Sequence, residues 1–292
     1  MILNLQNVHK TFNRQVVIDH LDWQIEFPKI VALVAPNGSG KTTLLDIIAN
    51  LKSADEGQVT IFNRRNNDPK IYLTMTYMQN NSVLFQNMTG EDHLSLIKHH
   101  YRISDIKFQT VIDRVGIAEY LRKRVCYYSM GMKQLLLFAM AILPETKLLL
   151  LDEPLNGLDP KSIVMVRETL QMLYQQGVTI IFSSHNLDEI DRLTSDIFFL
   201  HHGKLVSAVA NTSECYAVIM EGGKHALKDT KWEAYVTEEL TPNKFILDVL
   251  PAELIAFKAT FRKSSTPVLD ITLKKKSTEK QYFDLFSSHD IH

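Results

Sequence analysis

Residues 30–43 read IVALVAPNGSGKTT. The run from Ile30 to Val34 is wholly apolar, as a strand buried on both faces requires. A turn bearing Gly38 and Gly40 follows, and Thr42, Thr43, Leu44 and Leu45 then open an apolar helix. Such a turn at a helix N-terminus offers backbone N–H groups and the positive end of the helix dipole to an anion. Gly38 and Gly40 let the main chain approach a phosphate without a Cβ in the way. Lys41 can reach the outer phosphates, and Thr42 can set its hydroxyl on a magnesium ion. The pattern G-x-x-x-x-G-K-[ST] asks for glycine where this chain has Ala35. One methyl at the strand exit is a small addition, and nucleotide binding is expected to survive it. The stretch therefore predicts a phosphate-binding loop.

The rest of the composition sets the bounds. The chain has 292 residues, 45% of them hydrophobic and 22% charged, with a formal net charge of −1. That is an ordinary globular balance, and it gives no argument for bulk nucleic-acid binding. The longest apolar run, Leu135 to Leu143, is far short of the roughly 18 residues of a membrane span. The start, MILNLQNVHK, lacks a charged segment followed by an apolar one, so no secretory signal is expected. Cys126 and Cys215 are the two cysteines and form no C-x-x-C. This pattern fits a reduced cytoplasmic chain and excludes a cysteine-based zinc site. Work at a membrane would require docking on another protein.

Read in order, residues 2–27 fall into short β-like runs, with Phe12 in a polar turn among them. Phe12 can stack on a nucleobase or simply fold onto the sheet. Ile71 to Met78 reads as a strand ending in Gln79-Asn80-Asn81, where a side-chain amide can complete a magnesium shell. The period turns helical from Thr89 to about Val125: Thr89 with Asp92 makes a capping box, and a second helix starts near Ser104 and ends at Gly116. His99-His100 and His201-His202 are adjacent pairs, which on a helix point apart, so both read as solvated ends. In YSMGMKQLLLFAMAIL (128–143), Ser129 caps a helix and Gly131 allows close backbone approach. This is either a plain cap or a second anion-binding helix start that faces a nucleotide held by another subunit. LLLLDEP (148–154) is a buried strand that delivers Asp152 and Glu153 at its carboxyl end, where ligands sit in open α/β sheets. Asp152 is suited to hold a metal and Glu153 to polarise an attacking water. After the turn NGLDP (156–160), a helix leads to the strand Val178 to Phe182. That strand ends in Ser183-Ser184-His185, with His185 placed to hydrogen-bond a γ-phosphate.

Taken together, APNGSGKTT, YSMGMKQ, LLLLDEP, NGLDP and SSH, in that order and at suitable distances, resemble the ATP-binding subunit of an ABC transporter over about residues 1–206. The resemblance implies an α/β fold, a P-loop NTPase core with an N-terminal antiparallel β subdomain and an inserted helical subdomain over about 86–143. It implies that Phe12 stacks on adenine and that Asn37, Gly38, Ser39, Gly40, Lys41, Thr42 and Thr43 form the Walker A loop, with Lys41 on the phosphates. Thr42, Asp152 and Gln79 would surround Mg2+, Glu153 would be the catalytic glutamate and His185 the switch histidine. Ser129 and Gly131, in the signature loop, and Asp159, in the D-loop, would close over ATP bound by a partner subunit. The active species implied is a dimer of identical or paralogous subunits. Departures from the family pattern are Ala35, Met130, Met132, and Leu135 where an arginine is usual. The residues Met132 and Lys133 are similar to signatures of the bacitracin and lantibiotic exporters. Counting back from Leu84-Phe85 puts the Q-loop position on Asn80, beside Gln79, which we take as the magnesium-side residue.

Residues 207–292 read as a small α+β appendage. Strand-like runs cover Trp232 to Leu240, Lys244 to Leu250 and Val268 to Lys274. A helix follows Pro251 and a last one starts at Thr278. Lys274-Lys275-Lys276 could touch an acidic partner or lipid headgroups, or be a solvated strand end. The expected protein is an ATPase using ATP and Mg2+, cytoplasmic, and peripheral on the cytoplasmic face of the cell membrane through a multi-span permease. The expected cargo is a peptide or antibiotic, and no nucleic-acid partner is expected. Two other readings stay open: a non-transport ABC ATPase, and a nucleotide-gated module with weak hydrolysis paired with a more active subunit.

Overall fold

Two long antiparallel strands, β1 (Leu3–Phe12) and β2 (Gln15–Ile25), form from residues that alternate inward and outward in part. Asn13 and Arg14 join them, both with positive φ, the left-handed pair that a two-residue hairpin uses. Phe12 is thus the last residue of β1, paired with Gln15, and not a turn residue as expected. The pairing with a second strand extends what short apolar runs suggested. The computed structural model describes residues 1–208, 215–222, 227, 230–241, 243–249, 251–261, 268–274 and 278–286. These divide into two compact units, Met1–Ala208 and Val209–His292.

In the first unit the chain continues through β3 (Ile30–Val34), α1 (Lys41–Ile48), β4 (Glu56–Ile61), β5 (Arg64–Arg65) and β6 (Met75–Met78). The expected strand from Ile71 begins only at Met75, because Asp68 caps a 3-10 turn over Pro69–Leu73 by accepting from the Lys70 N–H. The helices α2 (Gly90–Tyr101), α3 (Asp105–Val115) and α4 (Met130–Ile142) follow. The capping box at Thr89 and Asp92 is formed, and Ser104 caps α3, which Gly116 ends in the left-handed conformation. Then come β7 (Leu148–Leu151), α5 (Pro160–Gln175), β8 (Thr179–Ser183), α6 (Leu187–Leu193), β9 (Ile197–His201) and β10 (Lys204–Ser207).

The strands build two sheets, one ordered β2-β1-β4-β5 and one ordered β10-β9-β3-β8-β7-β6. In the second, β6, β7, β8, β3 and β9 run parallel, and β10 closes one edge antiparallel. Every residue of β3, β7 and β8 is buried, as the unbroken apolar runs demanded. Truncating one of Leu148 to Leu151 to alanine would cost about 2–5 kcal/mol by opening a cavity in this layer. Among the described residues no helix is long and apolar enough to cross a membrane.

The second unit holds an antiparallel sheet ordered β12-β13-β11-β14, from β11 (Cys215–Glu221), β12 (Val236–Thr241), β13 (Lys244–Val249) and β14 (Val268–Lys274). The helices α7 (Pro251–Phe261) and α8 (Thr278–Phe286) complete it. Phe245, Leu247 and Val249 alternate inward along β13 and join Val218, Met220, Trp232 and Phe257 in one core. Trp232 meets the Phe257 ring edge-on at 5.1 Å. The strand expected from Trp232 instead starts at Val236, since Lys231–Tyr235 turn as a 3-10 helix that buries Trp232. The strand β11 was not foreseen. Lys275 and Lys276 of the lysine run lie outside the described residues.

Candidate active site

Three strand exits converge at the carboxyl edge of the six-stranded sheet. In register, Leu33 of β3 lies beside Ser183 of β8, and Leu151 of β7 lies beside Phe182. The turn after β3, the acids after β7 and the serines after β8 are therefore neighbours, although Thr42 lies 110 residues from Asp152 and Ser183 lies 31 residues beyond it.

Each of α2 to α6 starts under a side-chain cap, from Thr89, Ser104, Ser129, Asp159 and Asn186. Helix α1 does not. Gly40 precedes it at φ 103°, no side chain accepts from its first N–H groups, and its first turn has no acid. Its orphan donors and its dipole are left for an external anion. The conformation at Gly40 is closed to other residues: a Cβ there would lie 2.6 Å from Val17 Cγ1. Within the loop, the Ser39 hydroxyl donates to the Pro36 carbonyl at 2.5 Å, while Asn37 and Gly38 are exposed at the tip. Ala35 is 1% exposed and has no positive φ, so nothing at that position requires the glycine of the pattern.

Lys41 is buried, and its ammonium donates to the carbonyls of Ala35 at 2.6 Å and Pro36 at 3.3 Å. Burial pulls its pKa below the ordinary lysine value, and the charges of Glu153 and Asp152 partly oppose that. Thr42 donates its hydroxyl to Asp152 Oδ2 at 2.7 Å. Asp152 Oδ1 accepts from Ser183 Oγ at 2.6 Å. A hydroxyl and a carboxylate oxygen side by side are hard oxygen donors that fit a magnesium ion. Thr43 follows on the first turn of α1, partly buried.

Glu153 is held on three sides. Its N–H donates to Ser183 Oγ at 2.8 Å, its carbonyl accepts from Gln134 Nε2 at 2.7 Å, and its Oε2 accepts from His185 Nδ1 at 2.9 Å. Its φ of 50° is the left-handed conformation, which costs a non-glycine residue energy that surrounding contacts must offset. Ser183 and Gln134 carried no assigned role in the sequence reading. The available signal was a buried hydroxyl after an apolar strand and one glutamine flanking the apolar run of α4, where Gln134 is 6% exposed.

Gln79 and Asn80 are separated by the structure. The Asn80 carboxamide caps the turn Asn81–Val83, accepting from the Ser82 N–H at 3.0 Å and the Ser82 hydroxyl at 2.6 Å. Gln79 follows Met78, which pairs with Leu151 and whose carbonyl accepts from the Asp152 N–H at 2.9 Å. The register thus sets Gln79 alongside Asp152.

The remaining residues stand apart within one chain. Ser129 Oγ accepts from the Met132 N–H at 3.2 Å. Asp159 accepts from the Ser162 hydroxyl at 2.7 Å and from the N–H groups of Ser162 and Lys161, which together hold its carboxyl below the usual range, the hydroxyl most. Neither bonds to the phosphate loop. Gly131 and Gly157 come close: a Cβ on Gly131 would lie 3.1 Å from the Gly157 carbonyl, and one on Gly157 would touch the Met130 side chain at 3.0 Å. Phe12 is 40% exposed, with the ammonium groups of Lys10 and Lys52 at 5.2 and 5.9 Å from its ring centre.

The sequence profile of the family described as "ABC transporter" matches residues 18–156. The "Lantibiotic transport ATP-binding protein SrtF" of Streptococcus pyogenes is 31% identical over 70% of this chain and 89% of its own length. The "Bacitracin transport ATP-binding protein BcrA" of Enterococcus faecalis is 32% identical over 81% of this chain and 78% of its own. A solved "Structure of ATP binding subunit of ABC transporter" superposes with a TM-score of 0.66 at 26% identity, covering 71% of this chain and 90% of that one.

Proposed function

Because this chain belongs to the ABC transporter family as an ATP-binding subunit and ATPase, we propose that two such subunits clamp MgATP between them and drive export of a peptide or antibiotic through a separate membrane permease. The identical partner and a paralogue are both compatible with this reading. The cargo class is supported by the lantibiotic and bacitracin transport names of the two relatives. The chain would sit on the cytoplasmic face of the membrane by docking on that permease.

The observation that carries the reading is the uncapped start of α1, which carries Lys41 and has the charges of Glu153 and Asp152 near it at one sheet edge. The triphosphate would take the N–H groups of α1 and the Lys41 ammonium, which would leave its carbonyl partners. Thr42, Asp152 and Gln79 would hold Mg2+, which supplies charge neutralisation at the phosphates. Glu153 would orient and polarise the attacking water, and Ser183 and Gln134 would fix its main chain. His185 donates from Nδ1 to Glu153, so contact with a γ-phosphate falls to its Nε2. Phe12 would stack on the base. Ser129 and Asp159 cap helices away from the phosphate loop of their own chain, and with Gly131 they would serve the partner's nucleotide, which is why a dimer is proposed.

The test is Glu153→Gln. The variant should bind ATP like the parent, accumulate ATP-dependent dimers on size exclusion, and lose turnover by at least about a hundredfold. Hydrolysis at the parent rate would overturn the assignment of Glu153. Failure of ATP to bind or to dimerise the variant would overturn the clamp.

A further inference from the structure

Away from the phosphate loop, His9 of β1 and Asp19 and His20 of β2 each bring one potential ligand atom within 4.8 Å of the other two. Beside them the β1–β2 register slips between Val8 and Lys10, so the pair Asp19-His20 stands opposite His9. His9 Nδ1 is buried and has no hydrogen-bond partner. It faces Asp19 Oδ1 at 3.8 Å, too far for a hydrogen bond. The opposite nitrogen, His9 Nε2, meets Thr11 Oγ1 at 3.0 Å, and His20 Nδ1 meets Asn7 Oδ1 at 3.0 Å. An amide oxygen only accepts, so His20 Nδ1 is the donor there, and Nε2 is the nitrogen left for a metal. The two rings stack at 4.5 Å between centroids. Lys204 holds the other carboxylate oxygen, Asp19 Oδ2, at 3.4 Å, and the Asp19 N–H is tied to the Gly203 carbonyl at 2.9 Å.

We propose that His9, Asp19 and His20 form a binding site for a transition-metal ion of the Zn2+ type, separate from the nucleotide's magnesium. Two imidazoles and one carboxylate are a ligand set that suits Zn2+ and poorly suits Mg2+. The second nitrogen of each ring is already oriented by a neutral oxygen partner, the arrangement that sets up metal-ligating histidines. In a tetrahedral zinc shell the ligand atoms lie roughly 3.3 Å apart, so the three close by no more than about 1.5 Å. His20 is the exposed member of the three. A bound ion ties β1 to β2 in the hairpin that carries Phe12 and presses Val17 against Gly40.

The experiment is a Zn2+ titration by calorimetry of the full chain, free of nucleotide and of any polyhistidine tag, with Co2+ absorption as a second readout. The parent should bind one Zn2+ at this site with micromolar or tighter affinity, gain Tm with zinc, and show the intense visible band of tetrahedral Co2+. His20→Gln, an exposed change, and Asp19→Asn should each weaken binding at least about tenfold and lose the band, with the circular dichroism and ATP binding of the parent retained in His20→Gln. Absence of zinc binding in the parent would overturn the proposal. So would zinc binding in His20→Gln and Asp19→Asn equal to the parent's, which would place the ion at other histidines.

Discussion

Ser183→Ala tests how the site is held. Ser183 is fully buried, and its one oxygen donates to Asp152 at 2.6 Å while accepting from the Glu153 N–H at 2.8 Å. Alanine removes a hydrogen bond to a carboxylate, worth about 1.5–3 kcal/mol, and leaves a buried N–H without a partner, at about 1–3 kcal/mol. The two losses share one oxygen and do not add fully, so the expected destabilisation is about 3 kcal/mol. For a unit of this size that is a fall in Tm of roughly 6–12 °C. Glu153, in its left-handed conformation, loses one of its three restraints, and misplacement of its carboxylate should lower kcat about a hundredfold with a smaller change in KM. The assays are thermal unfolding without nucleotide and steady-state ATP hydrolysis with the membrane partner. A Tm loss under about 2 °C together with unchanged turnover would refute the claim that this hydroxyl organises both acids.

Gly40→Ala should abolish ATP binding or unfold the loop, since it adds left-handed strain of about 1–2 kcal/mol and a Cβ at 2.6 Å from Val17 Cγ1; Gly38→Ala meets open space and should be milder, as nucleotide titration and melting would show. Burial holds the Lys41 pKa in the fold below the ordinary lysine value. The charged form therefore weighs against the nucleotide-free fold below that folded pKa, and the penalty is relieved as pH rises through it. A bound triphosphate raises the pKa again, so ATP binding should take up protons at alkaline pH, read as a buffer-dependent binding enthalpy that Lys41→Met removes. Gln79→Ala should raise the Mg2+ concentration needed for hydrolysis, whereas Asn80→Ala should cost only its cap, about 1 kcal/mol, with normal Mg2+ dependence.

Much of this protein was readable as text because its chemistry sits at strand ends. A run of four leucines has few homes other than a layer covered on both sides, and Asp152-Glu153 after it must emerge at an edge. The phosphate loop is equally local: glycine spacing, a lysine and a helix start are all within one turn. Caps at Thr89 and Ser129, and the helix start near Ser104, were legible for the same reason, since a cap bonds three residues ahead. The misjudged starts at Ile71 and Trp232 came from apolar stretches in which a proline-led or tightly turned segment buries that one side chain without extending.

The residue sequence determined the nucleotide loop, the acid pair and the buried parallel strands, because each depends on neighbours within a few positions along the chain. Only the tertiary structure decided that Ser183 and Gln134 grip Glu153 from β8 and α4, that the Asn80 carboxamide is spent on the turn at Ser82, and that His9 meets Asp19 and His20 across a slipped pairing. Those contacts depend on strand register and on which face a side chain leaves. Register between strands distant in the chain depends on the buried faces they share, and a bulge shifts it locally, so neither is read from one strand alone.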